Sequence, residues 1–357
     1  MKPDERAQRL RIDTVHGRHL QNNRLSDPVD RNLSILLPRS YCKSATRRYP
    51  VVYILHGFNG TAWRWAEDFS ISSGPKWRSF LHAADDLMKG RRCQEMILVA
   101  PDGHNRWGCG QWVDSGINGN YASYVADDIV SYVDSHYRTI PKRSHRLVTG
   151  VSSGGIGSFH VGGSFPEVFG AVAMRSADIY FEVTHVPWLV DFVNASWPMG
   201  FDGPIRANGN SWFCYGLAAA YSPNSRKAPY YCDLPIRFPT AELDEKVWEK
   251  WLHFDPIRAY KRYVKAFRSM HVFHDCGSQD EFDFHLGHRI LHERLKKARV
   301  KHLYEEYDGT HGNLSTERTL RAIQWFNKLL PLPEKGVGRA KSKTGLTSRC
   351  QTRAKKK

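Results

Sequence analysis

A chain of 357 residues with 41% hydrophobic, 12% aromatic and 25% charged residues has ample material for a sizeable core. No apolar run approaches the roughly 20 residues that span a bilayer, and the N-terminus MKPDERAQRLRID is charged where a secretory leader would be apolar, so a cytoplasmic chain without a membrane partner is expected. The formal charge of +16 does not make a nucleic-acid binder, because nine Lys and Arg and no acid follow Glu334, which leaves +7 on residues 1–334.

Residues 335–357 therefore read as a basic, solvated tail on one domain of residues 1–334, and no specific nucleic-acid partner is expected. The seven cysteines (Cys42, Cys93, Cys109, Cys214, Cys232, Cys276 and Cys350) include no CxxC pair. That spacing suits reduced, mostly buried thiols better than a disulfide framework or a zinc site.

In chain order, stretches around Ile12–His19 and Asn32–Leu37 flank a polar turn and predict an antiparallel hairpin at a sheet edge. The uninterrupted apolar run Tyr49–Leu55, ending in His56-Gly57, predicts a strand buried on both faces. The same signature recurs at Met96–Ala100, Leu147–Val151, Gly170–Met174 and Met270–His274. Helical periodicity lies between these runs, notably over Tyr124–Tyr137. A helix near Phe282–Lys297, a strand near His302–Tyr307 and a helix near Ser315–Leu330 close the series, which Pro331 and Pro333 end. Such alternation predicts an α/β fold with a mostly parallel sheet covered by helices on both faces. It breaks down over about 178–267, an aromatic-rich insertion with Trp188, Trp197, Trp212, Phe213, Tyr215, Tyr230, Tyr231, Trp248 and Trp251. Most of these rings are expected to pack the insertion, and a few to line a cleft.

Chemistry is concentrated in Thr149-Gly150-Val151-Ser152-Ser153-Gly154-Gly155, a GxSxG motif between a predicted strand and a predicted helix. A nucleophile on a sharp strand-to-helix turn needs small neighbours two residues away, which Gly150 and Gly154 supply. The helix N-terminus then faces the place where negative charge develops in acyl transfer. This is the nucleophile turn of the α/β-hydrolase fold. Two backbone N–H groups are the candidate oxyanion donors: that of Ser153, and that of Phe58 in the loop His56-Gly57-Phe58-Asn59-Gly60. In this fold an acid and then a histidine follow the serine. Asp280, in a loop past the Met270–His274 strand, is the preferred acid, and Asp178, past Gly170–Met174, is its competitor. His311, between the last strand and the last helix, is the candidate base. His271, His274, His285 and His288 crowd the same region. An odd offset puts the first two on opposite sides of a strand, so no metal is expected.

The segments YPVVYILHGFNG (49–60), MILVAPDG (96–103), GNYASYVADDIVSYVDSHYRTI (119–140), HRLVTGVSSGGIGS (145–158), HDCGSQDEF (274–282) and YEEYDGTHG (304–312) together resemble the esterase D type family. That family is related to S-formylglutathione hydrolases, feruloyl esterases, enterochelin esterases and mycolyltransferases. The resemblance spans roughly residues 30–330. It implies an α/β-hydrolase fold, a cofactor-free acyl-enzyme mechanism on a small ester substrate, the triad Ser152, Asp280 and His311, and oxyanion donors at Phe58 and Ser153. An acyltransferase using the same site is the alternative it leaves open. Two departures stand out: VSSGG, where many relatives have a methionine after the serine, and the long aromatic insertion.

Overall fold

Tyr49–Leu55 becomes the centre of the molecule. In the computed structural model, which describes residues 9–62, 80–90, 93–196 and 209–331, β3 (Val51–Leu55) is buried at every position. Around it stand β1 (Leu10–His16), β2 (Asp30–Leu36), β4 (Ile97–Pro101), β7 (Arg146–Val151), β8 (Ala171–Arg175), β9 (His271–Gly277) and β10 (His302–Tyr307). The two-residue strands β5 (Asp114–Ser115) and β6 (Gly119–Asn120) form a separate small pair. The eight-stranded sheet has the order β1-β2-β4-β3-β7-β8-β9-β10. It is parallel from β4 to β10, and the expected β1–β2 hairpin runs antiparallel along one edge.

Because side chains alternate across a strand, β3 sends Val51, Tyr53 and Leu55 into one core and Val52 and Ile54 into another. The larger core packs under α2 (Tyr121–Ser123 and Val130–His136, with a π turn at Tyr124–Ile129 between), α3 (Ser153–Ser164), α8 (Pro256–Arg268) and α9 (Phe284–Lys297). The smaller one lies under α1 (Phe80–Lys89) and α10 (Ser315–Leu329). Each buried aliphatic or aromatic side chain there contributes about 1.5–3 kcal/mol. Cys93, Cys109, Cys214, Cys232 and Cys276 are buried among these groups. The insertion between β8 and β9 holds α4 (Phe181–Thr184), α5 (Val186–Ser196), α6 (Gly209–Tyr221) and α7 (Glu245–Leu252), followed by α8. Trp248 and Trp251 are buried inside it, as expected for most of its rings. Trp197, Cys350 and the basic tail lie outside the described residues.

Two boundaries differ from the sequence reading, each for a local reason. β9 runs three residues beyond His274, because the Asp275 carboxylate, fully buried in the strand, is held by Arg318 at 2.7 Å and Arg175 at 3.7 Å. The helix expected from Phe282 starts at Phe284, since Asp283 takes a left-handed φ of 59° just before it.

The register carries the functional consequence. Leu55 pairs with Gly150, Val151 with Arg175, Arg175 with Asp275, and Gly277 with Tyr307. The loops that leave β3, β7, β8, β9 and β10 therefore open along one edge of the sheet, where α/β folds bind ligands.

Candidate active site

Ser152 sits between β7 and α3 with φ 57° and ψ −126°, a conformation that costs a non-glycine residue about 1–3 kcal/mol. Its neighbours show why the motif needs glycine. A β-carbon on Gly150 would lie 2.3 Å from the Gly154 oxygen, and one on Gly154 would lie 2.2 Å from the Leu55 oxygen. The turn is pinned by the Ser152 N–H, which donates to the carbonyls of Arg175 (3.0 Å) and Ser176 (3.1 Å). Ser153 is the first residue of α3, so no carbonyl one turn earlier accepts its N–H, and the positive end of the helix faces Ser152.

The loop after β3 lies against this turn. A β-carbon on Gly57 would be 3.9 Å from Ser152 Oγ. His56 fixes the loop with both ring nitrogens: Nε2 accepts from the Gly103 N–H at 2.8 Å, so Nδ1 carries the hydrogen and donates to the Gly57 carbonyl at 2.8 Å. Asn59 N–H donates to Gly108 O at 3.2 Å and Gly60 N–H to Gly57 O at 3.0 Å. Phe58, half-buried, is thus held on a loop that borders the serine.

His311 arrives from the other side. Its Nδ1 lies 2.9 Å from Asp280 Oδ2, and its backbone N–H donates to Glu281 at 2.9 Å. Asp280 also accepts from the Phe282 N–H at 3.0 Å and the Cys276 thiol at 3.4 Å. Burial alone would raise the pKa of Asp280, but the hydrogen bond and charge of His311, with these donors, outweigh it and hold the carboxyl below its ordinary value. An ionised Asp280 accepting from Nδ1 leaves the lone pair on His311 Nε2. The ring is 16% exposed and packs edge-on against both Phe282 and Phe284, with centroids at 5.0 and 5.2 Å.

Asp178, the competing acid, does not reach His311. Its Oδ1 accepts from the Ser152 hydroxyl at 3.5 Å, a long contact and the one partner of that hydroxyl among the described residues. Burial pushes its pKa up to about 7 against the opposing charge of His311, and nearby Asp280 pushes the same way as burial. This contact was not legible in the sequence, which placed Asp178 at the correct strand end and gave no side-chain direction.

An aromatic wall joins His311 to the Phe58 loop. Phe282 packs on Trp188 at 5.2 Å, Trp188 on Phe213 at 4.4 Å, and Phe213 edge-on against Phe58 at 4.8 Å. Outside the insertion, Trp112 is fully buried with its indole N–H on His56 O at 3.0 Å, and Trp107 stacks on Tyr215 at 5.5 Å. Both support the loops. Trp212 is 37% exposed.

A family model described as Putative esterase matches residues 28–323. The chain belongs to this esterase family. Membership makes it a carboxylic-ester hydrolase. Its fold matches that of a ferulic acid esterase at 21% identity and a TM-score of 0.60, over 90% of this chain and 98% of that one. The S-formylglutathione hydrolase from Agrobacterium tumefaciens matches at 14% identity and 0.57, over 90% and 95%. A ferulic acid esterase from Anaeromyces mucronatus, in complex with ferulic acid, matches at 17% and 0.55, over 90% and 92%.

Two buried histidines near this candidate site are joined by a hydrogen bond. Ala177 N–H donates to His288 Nε2 at 3.0 Å, so His288 Nδ1 carries its hydrogen and donates to His274 Nδ1 at 3.1 Å. His274 Nε2 must then be protonated. His274, His292 and His302 bring three imidazoles close enough to share an ion. His302 Nδ1 donates to Val300 O, and His302 Nε2 accepts from His292 Nδ1. His271 is exposed on the opposite face from His274. No described helix is long and apolar enough to cross a membrane.

Proposed function

We propose that the chain hydrolyses small esters with an aryl or short acyl group through an acyl-enzyme on Ser152. His311 Nε2 takes the Ser152 proton as Oγ attacks the ester carbonyl, with Asp280 holding the imidazole in the required tautomer. The N–H groups of Phe58 and Ser153 stabilise the oxyanion at the N-terminus of α3. His311 then protonates the leaving alcohol, and water attacks the acyl-enzyme by the same route in reverse. The observation that carries this reading is the 2.9 Å His311–Asp280 bond on the sheet edge where Ser152 sits in its strained turn. The wall of Phe58, Phe213, Trp188 and Phe282 supports an aryl or otherwise apolar substrate group, the chemistry of the ferulic acid bound by the structural relative.

The test is a panel of p-nitrophenyl esters of rising acyl length, with feruloyl and benzoyl esters and S-formylglutathione included. Ser152→Ala is expected to lose about 10⁴–10⁶ in rate while staying folded. Aryl and short acyl esters are expected to lead the panel. Near-wild-type turnover in Ser152→Ala removes the serine from the reaction, and a preference for long-chain esters removes the substrate assignment.

A further inference from the structure

Asp178 is not used by the cycle above, yet it is the group that the Ser152 hydroxyl meets. It is 1% exposed, on a bend where Ser176 (φ 38°) and Tyr180 (φ 71°) both take positive φ. The bend is pinned on three sides. Ser176 N–H donates to Asp275 O (2.9 Å), Ala177 N–H to His288 Nε2 (3.0 Å) and Tyr180 N–H to Asp255 (3.1 Å). Asp178 Oδ1 faces Ser152, and Oδ2 is sealed from solvent with no hydrogen-bond partner among the described residues. The groups whose charge or hydrogen bond acts on it or with it are Ser152, His311, Asp280, its own backbone N–H, Tyr221 and Cys109. Burial keeps Tyr221 and Cys109 in their neutral forms, and no lysine or arginine is among these groups. An ionised carboxylate with one oxygen sealed and unbonded is a costly arrangement, whereas the neutral acid is not.

Resting on the Ser152–His311 reading, we propose that Asp178 is a positioning residue that sets the direction of the nucleophile's hydroxyl. As the neutral acid it donates to Ser152 Oγ, and the hydroxyl hydrogen is free for His311. As the carboxylate it accepts that hydrogen, holds the hydroxyl away from its base, and sets a negative charge beside the developing oxyanion. Both effects slow acylation. The raised pKa of about 7 places the change in the neutral range, with loss of rate as pH rises.

The experiment is the pH dependence of kcat/KM for p-nitrophenyl acetate from pH 5.5 to 9.5, corrected for spontaneous hydrolysis, in wild type and Asp178→Asn. The same series is read by the rate at which a fluorophosphonate labels Ser152. Wild type is expected to fall on the alkaline side with a midpoint near 7. Asparagine donates at every pH, so D178N is expected to lose that limb, and its ratio of rates at pH 9 and pH 6.5 to exceed the wild-type ratio by about tenfold or more. An unchanged alkaline limb in D178N overturns the proposal. So does a uniform loss in D178N of roughly 10³ at all pH with Asp280→Asn still active, because Asp178 would then be the triad acid. If D178N does not fold, ¹³C-aspartate NMR of wild type takes its place. A carboxyl titrating together with the alkaline limb supports the proposal, and none titrating above pH 5 overturns it. Wild type that neither labels nor turns over at any pH fails the hydrolase reading itself.

Discussion

At the scale of single residues the site holds two buried carboxyl groups whose environments push them in opposite directions. Asp280 accepts hydrogen bonds from His311, Phe282 and Cys276 and is held below its ordinary pKa, while burial of Asp178 outweighs the charge of His311 and the hydrogen bonds of Ser152 and its own backbone N–H and raises it to about 7. The sign for stability differs accordingly. The contribution of Asp280 is present above the ordinary carboxyl pKa of about 3.9 and is lost as pH falls through its lowered value. The contribution of Asp178 is full below about 4 and is lost as pH rises through about 7. For catalysis, Asp280→Asn is expected to lower kcat by roughly 10³–10⁴ with KM within a few-fold, because the amide no longer enforces the Nδ1–H tautomer. Steady-state kinetics on a p-nitrophenyl ester check this, and a change in KM alone would make Asp280 a binding residue.

At the scale of elements the turn between β7 and α3 is the most constrained piece of backbone. The contacts that fix it are carbonyl oxygens of Leu55, His56 and Gly154, which cannot swing aside as a side chain can. Gly154→Ala is therefore expected to displace the turn and lose activity by at least about 100-fold, with a drop in melting temperature. Equal activity in Gly154→Ala and wild type would show that the turn is looser than drawn. This element was legible in the sequence because its demand is steric and local: two glycines around a serine, after an apolar run. The boundaries of β9 and α9 were not, because one depends on Arg175 and Arg318 reaching Asp275 from other elements, and the other on the left-handed turn at Asp283. The Ser152–Asp178 contact was hidden for the same reason, being a matter of side-chain direction across two loops.

At the scale of the whole molecule, a parallel sheet gathers residues separated by more than 250 positions onto one edge. Phe58, Ser152, Asp178, Asp280 and His311 each follow a different strand, and the register of β3, β7, β8, β9 and β10 brings those strand ends into line. The insertion then closes the edge with rings, from Phe282 through Trp188 and Phe213 to Phe58. Alternating apolar runs made the sheet readable in advance, whereas the packing of the insertion depends on contacts between residues far apart in the chain. The central claim is that Ser152 is the nucleophile that this whole arrangement serves. It is tested most directly by labelling the protein with a fluorophosphonate and mapping the modified residue by mass spectrometry, in wild type and Ser152→Ala. A single adduct on Ser152 that disappears in S152A is the expected result; an adduct on the adjacent Ser153, or labelling undiminished in S152A, contradicts it.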